Sequence, residues 1–162
     1  MEDVRLDMIG NLQTNKINQV IGCAHLVHSV SSLHLAEAIA RRAEAKGICV
    51  PILLEVNVSG EPSKSGFSPE EARAALDRVL ALEALSVEGV MTMAPANDRD
   101  AARSAFSGLR ELRDTMRADS GRALDVLSCG MSDDFGIAVE EGSTLVRLGR
   151  IVFDPAYDLD VQ

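Results

Sequence analysis

Two short glycine-punctuated turns lie near the end of this chain, each just past an apolar stretch: Leu-Ser-Cys-Gly-Met-Ser-Asp-Asp over 127–134 and Leu-Val-Arg-Leu-Gly-Arg over 145–150. Their residues suit an oxyanion. Backbone N–H groups at a helix start or in a tight turn hold a phosphate without a dedicated cation. Ser132 stands at the expected cap of a helix beginning Asp133-Asp134, so its hydroxyl and the following N–H groups face outward from a positive helix end. Gly149 and Arg150 supply the second turn. Asp133 and Asp134 would repel a dianion unless their side chains point away, and dipole-matched capping accounts for both. Two ordinary strand-to-helix loops have the same glycine spacing, so these residues alone leave both readings open.

Other reactive side chains are sparse. Lys64 sits in Ser-Gly-Glu-Pro-Ser-Lys-Ser-Gly over 59–66, a composition that leaves a lysine solvated. Glu55 is the carboxylate placed for acid–base work at a strand end. His25 and His28 bracket Leu26-Val27 in an expected strand, where positions three apart face opposite sides, so no shared metal is expected. Cys23, Cys49 and Cys129 lack CxxC spacing and are odd in number, which reads as buried reduced thiols.

These residues must be positioned by regular elements. Apolar runs at 6–9, 25–29, 50–58, 87–93, 124–127 and 145–148 read as strands, and amphipathic stretches at 15–21, 33–45, 69–82, 99–116 and 134–141 as helices. Ser68-Pro69-Glu70-Glu71 is a helix start, with Ser at the cap, Pro first and Glu third. Lys46-Gly47 is a helix stop. Regular strand and helix alternation implies a parallel sheet covered by helices, as an open doubly wound sheet or a closed barrel. Six strands fall short of the eight strands and about 250 residues of a (β/α)8 barrel.

The 162 residues are 46% hydrophobic, enough to build the core of one domain. A net charge of −9 argues against a nucleic-acid partner. No apolar run approaches the roughly 20 residues of a membrane span, and Met-Glu-Asp-Val-Arg lacks the features of a secretory signal. A cytoplasmic location with no membrane partner is the expectation.

Asp-Met-Ile-Gly-Asn-Leu-Gln-Thr-Asn-Lys-Ile-Asn-Gln-Val (7–20), Glu-Val-Asn-Val-Ser-Gly-Glu-Pro-Ser-Lys-Ser-Gly-Phe (55–67) and Gly-Val-Met-Thr-Met-Ala-Pro (89–95) precede the two turns in a fixed order. Together they resemble the YggS-like pyridoxal phosphate homeostasis proteins, whose fold is that of the N-terminal barrel domain of alanine racemase. The resemblance implies an α/β fold, an incomplete (β/α)8 barrel holding strands three to eight, and a single partial cofactor-binding domain over 1–162. It also implies an N-terminally truncated member, because the family's Schiff-base lysine lies on the first strand and none of Lys16, Lys46 and Lys64 matches it.

The implied cofactor is pyridoxal 5′-phosphate. By resemblance Ser132 contacts its phosphate, joined by the backbone N–H groups of Gly149 and Arg150. Arg147 is placed near the pyridine nitrogen, where a guanidinium cannot accept a proton and so keeps that nitrogen unprotonated. Such a site carries the cofactor better than it catalyses with it. The implied function is a non-catalytic carrier in vitamin B6 homeostasis, with an alanine racemase-like enzyme as the alternative. Against the racemase stand the unmatched lysine and the placement of Tyr157 in the tail. A sugar-phosphate enzyme would rest on Glu55. Three positions depart from the family pattern: Cys129 for a usual Met, Arg150 for a small residue, and Asp154 for a glycine, which leaves the path of the last turn open. Open sheet edges are expected to favour self-association.

Overall fold

The computed structural model describes residues 4–157. Residues 1–3 of the start read for a secretory signal and residues 158–162 of the expected 1–162 domain lie outside the described residues. Six strands alternate with helices: β1 (Asp7–Met8), α1 (Ile17–Val20), β2 (Leu26–Val30), α2 (Leu33–Lys46), β3 (Val50–Glu55), α3 (Pro69–Leu80), β4 (Leu85–Met91), α4 (Arg99–Ser120), β5 (Val126–Met131), α5 (Phe135–Glu140), β6 (Leu145–Arg147) and α6 (Arg150–Phe153). A 3-10 turn over Thr14–Lys16 leads into α1. Every expected strand is present. Two differences bear on function: β5 continues past 127 through Ser128 to Met131, and Arg150–Phe153 is a short helix where a turn was expected.

Helix boundaries follow local chemistry. Ser32 Oγ accepts from Leu35 N at 3.2 Å to start α2, and Gly47, at φ 64°, ends it in the left-handed conformation that costs glycine least. The expected start of α3 is a full capping box: Ser68 Oγ accepts from Glu71 N at 3.1 Å while Glu71 Oε2 accepts from Ser68 N at 2.8 Å. Asp98 opens α4 by accepting from Ala101 N at 2.9 Å.

All strands pair in parallel, in the order β1-β2-β3-β4-β5-β6. A doubly wound sheet reverses its strand order partway. Strict sequential order with right-handed crossovers instead puts every helix on one face, and the other face becomes the inside of a barrel. The chain thus has a barrel-type sheet rather than an open doubly wound one. Between sheet and helices lies the main core, with Ile17, Ile39, Leu54, Phe106 and Leu109 fully buried. On the inner face Leu26, Leu53 and Met91 form a second cluster, against which Val126 and Leu145 pack. Side chains alternate along a strand. Two residues after these five come His28, Glu55, Met93, Ser128 and Arg147, on the same inner face. A polar layer therefore sits above an apolar floor, toward the carboxyl ends of the strands, where barrels of this kind place their sites.

Candidate functional site

Arg147 dominates the polar layer. Its Nη1 donates to Ser128 Oγ at 2.7 Å and its Nη2 to the Thr92 carbonyl at 3.0 Å. Thr92 Oγ1 in turn donates to Val56 O at 2.6 Å, which ties β4 to the end of β3. His28 Nδ1 lies 3.0 Å from Ser128 Oγ, and His28 Nε2 faces Asp7 Oδ2 at 3.5 Å, beyond good hydrogen-bond range. His28 and Ser128 are fully buried. Burial lowers the His28 pKa, against the opposing pull of the Asp7 carboxylate. Desolvation also lowers the Arg147 pKa, yet a guanidinium stays charged.

Among the described residues three buried polar atoms here lack a hydrogen-bond partner: His28 Nε2, Glu55 Oε2 and Arg147 Nε. Such atoms are rare in folded proteins and mark places where a further partner belongs. Glu55 is 5% exposed, and burial raises its carboxyl pKa. Ser65 Oγ lies 2.8 Å from Glu55 Oε1 and 3.1 Å from Asn11 Oδ1, so the Ser65 hydroxyl links its own loop to Glu55 and to the Asn11 loop at the barrel mouth. These residues, with Asn57, Lys64 and Met93, line a pocket of about 220 Å³. Lys64 is not the solvated lysine its loop composition suggests. Its Nζ donates to Met93 O at 3.3 Å and pairs with Glu61 Oε1 at 3.1 Å.

The two turns read from the sequence lie side by side. Ser132 Oγ accepts from Ile151 N at 3.3 Å, in the first turn of α6. Ser132 is not a helix cap, however. Asp134 N donates to Met131 O at 3.1 Å, closing a tight turn with Ser132 and Asp133 at its corner, and α5 starts later with Asp134 at the N-cap. Asp134 does not cap with its side chain either: Oδ1 accepts backwards from Met131 N at 2.6 Å. Asp133 pairs with the Arg150 guanidinium. Both carboxylates thus have partners away from the α5 amides.

Gly149 is the N-cap of α6, and its own amide and that of Arg150 precede the first bond of the helix, from Val152 N to Gly149 O at 3.0 Å. The Arg150 side chain turns outward to Asp133 and lies 5.9 Å from the Tyr157 ring centroid. Its bulk therefore leaves the backbone amide uncovered by its own guanidinium. Asp154 has φ −98°, so the position needs no glycine, and its carboxylate accepts from Ala156 N at 3.0 Å. That turn returns Tyr157, whose hydroxyl donates to Ser132 O at 2.6 Å.

Sequence reasoning missed three contributors: Tyr157, Ser128 and His28. Tyr157 lies in the tail by sequence, yet it braces the Ser132 corner. His25 and His28 were expected on opposite faces of a strand. His25 instead precedes β2, and both rings approach Asp7, at 3.7 and 3.5 Å.

The chain matches the alanine racemase N-terminal domain over residues 6–155. It is 42% identical over 153 residues to the pyridoxal phosphate homeostasis protein of Aquifex aeolicus, covering 93% of this chain and 67% of that protein. PipY of Synechococcus elongatus, solved with PLP bound, superimposes with a TM-score of 0.86 at 29% identity, covering 93% of this chain and 71% of that one. An alanine racemase of Clostridium difficile shares the fold at a TM-score of 0.75 with 18% identity, covering 93% of this chain and 40% of that one. The chain spans about two thirds of the length of the curated relatives it matches.

Proposed function

The chain belongs to the alanine racemase N-terminal domain family, among the pyridoxal phosphate homeostasis proteins, and on that premise we propose that its inner face binds pyridoxal 5′-phosphate and carries it without catalysis. The observation that supports this most is the half-buried Arg147, whose buried Nε has no partner among the described residues and which ends β6 two residues before Gly149. The donor set fits this cofactor. Ser132 and the amides of Gly149 and Arg150 would hold the phosphate, and the Arg147 guanidinium would face the ring nitrogen. Bound pyridoxal phosphate supplies an electron sink, which an arginine at the ring nitrogen weakens by denying it a proton. Tyr157 holds the Ser132 corner in place through the Ser132 carbonyl.

Identity to the homeostasis proteins reaches 42%, whereas the racemase likeness at 18% concerns the fold. Action in the cytoplasm as a single partial domain, without nucleic-acid or membrane partners and with self-association through the sheet edges, completes the proposal. Among the described residues no helix is long and apolar enough to cross a membrane.

Calorimetric titration with pyridoxal phosphate and with phosphate-free pyridoxal tests it. The phosphate ester should bind more tightly, and Ser132→Ala should weaken it roughly tenfold, the worth of one charge-assisted hydrogen bond. Arg147→Glu should abolish binding. Equal affinity for pyridoxal and its phosphate, or an unaffected Ser132→Ala, would sink the site.

A further inference from the structure

Arg147 reaches the lumen from β6, but its orientation is set from the far side of the sheet. A guanidinium can only donate, so Ser128 Oγ must accept from Arg147 Nη1 across their 2.7 Å contact. The Ser128 proton then needs another acceptor. Among the described residues the other polar side-chain partner of this hydroxyl is His28 Nδ1 at 3.0 Å. Were Nδ1 protonated, His28 and Arg147 would both donate to one oxygen, and the buried hydroxyl proton would be stranded at a real cost. Ser128 therefore donates to Nδ1. The neutral imidazole carries its proton on Nε2, the atom that faces the Asp7 carboxylate from 3.5 Å. Full burial of His28 and Ser128 keeps water from replacing either partner.

We propose that His28, as its Nε2–H tautomer, is a positioning residue that fixes the Ser128 lone pairs on Arg147 and so aims Arg147 Nε into the lumen. The Asp7 carboxylate on β1, 3.5 Å from Nε2, favours the same tautomer by charge, which makes the chain Asp7, His28, Ser128, Arg147 a relay of orientation across four strands. No proton need move along it. The relay rests on hydrogen-bond counting within the chain; its effect on a bound cofactor rests on the pyridoxal phosphate reading above.

Nitrogen-15 NMR of the whole chain tests it without any ligand. His28 ring signals are identified by their loss in His28→Gln, and the Arg147 Nε signal by its loss in Arg147→Lys. In the wild type Nδ1 should resonate as an unprotonated nitrogen and Nε2 as a protonated one; the reverse assignment overturns the proposal. Exchange of the Arg147 Nε proton with solvent should be about tenfold faster in His28→Leu, the equivalent of one buried hydrogen bond. His28→Gln should restore it, because its amide oxygen can accept from Ser128. Unchanged exchange in His28→Leu overturns the positioning role, and if that variant does not fold, the wild-type tautomer decides. A correct tautomer in a chain that binds no pyridoxal phosphate would count against the cofactor reading alone.

Discussion

At Glu55 a carboxyl is buried with one oxygen, Oε2, unpartnered, and burial raises its pKa despite the Ser65 hydroxyl and the Arg147 charge. A raised acid binds its proton more tightly in the folded state. Its contribution to stability is fully present below the ordinary carboxylate value and is lost as pH rises through the raised value. His28, with a lowered pKa, has the opposite sign: its contribution is present above the ordinary imidazole value, near 6.5, and is lost as pH falls through the lowered one. Glu55→Gln should therefore gain on the wild type as pH rises from about 4 to about 8. Urea midpoints across that range check this, and a difference that stays constant with pH would refute the buried acid. The two turns that hold Ser132 and Gly149 could be read from spacing because turn chemistry is local, whereas the place given to Arg147 came from family resemblance. The His28 to Ser128 contact could not, since its partners stand 100 residues apart. The available signal was the two-residue alternation that puts 28, 55, 93, 128 and 147 after five inner apolar residues. That signal needs a fifth strand that runs past 127, and the glycine at 130 masks it.

The elements were largely readable, and where they were the reason is chemical. Ser68, Pro69 and Glu71 specify a helix start in four residues, and the observed capping box follows. Ser68→Ala removes the acceptor for Glu71 N and should cost about 1 kcal/mol, read from the denaturant midpoint. An unchanged midpoint would show the cap to be redundant. Gly89, in the Gly-Val-Met-Thr-Met-Ala-Pro motif, has a different explanation, one that sequence alone did not supply. A Cβ there would lie 1.9 Å from Val126 O on β5, a backbone atom that no rotamer change can move. Gly89 pairs with Val126 across β4 and β5, so Gly89→Ala should push apart the strands that carry Thr92 and Ser128. We expect a loss of about 3 kcal/mol or more, together with weaker pyridoxal phosphate binding. A variant of wild-type stability would contradict the packing. The helix over Arg150–Phe153 is not legible locally, because Ile-Val-Phe favours strands by propensity. The turn against Ser132 overrides that preference.

For the whole molecule, sequence periodicity left an open sheet and a barrel equally available, and family resemblance chose the barrel. The physical reason is the unreversed strand order, a non-local property that no window of sequence contains. That order also places β1 and β6 at the two edges, and among the described residues neither is paired on its outer side. Apolar side chains lie exposed near both: Val4 and Leu6 beside β1, and Leu148, Val152 and Phe153 beyond β6, with Phe153 83% exposed. Unpaired backbone beside exposed apolar groups favours pairing with another chain. The net charge of −9 opposes it, because like-charged copies repel at long range. At about 0.15 M salt that repulsion is screened beyond roughly 8 Å, whereas edge pairing and apolar contact act at shorter range. The 162-residue chain should therefore self-associate with rising concentration, and more strongly as salt is raised. Leu6→Lys, which places a charge on the edge, and Phe153→Asp, which removes the largest exposed apolar group, should each shift the equilibrium toward monomer. Sedimentation velocity over a range of concentrations at low and high salt measures this. A monomer under every condition, or association that salt weakens, would mean that the edges are not what brings the copies together.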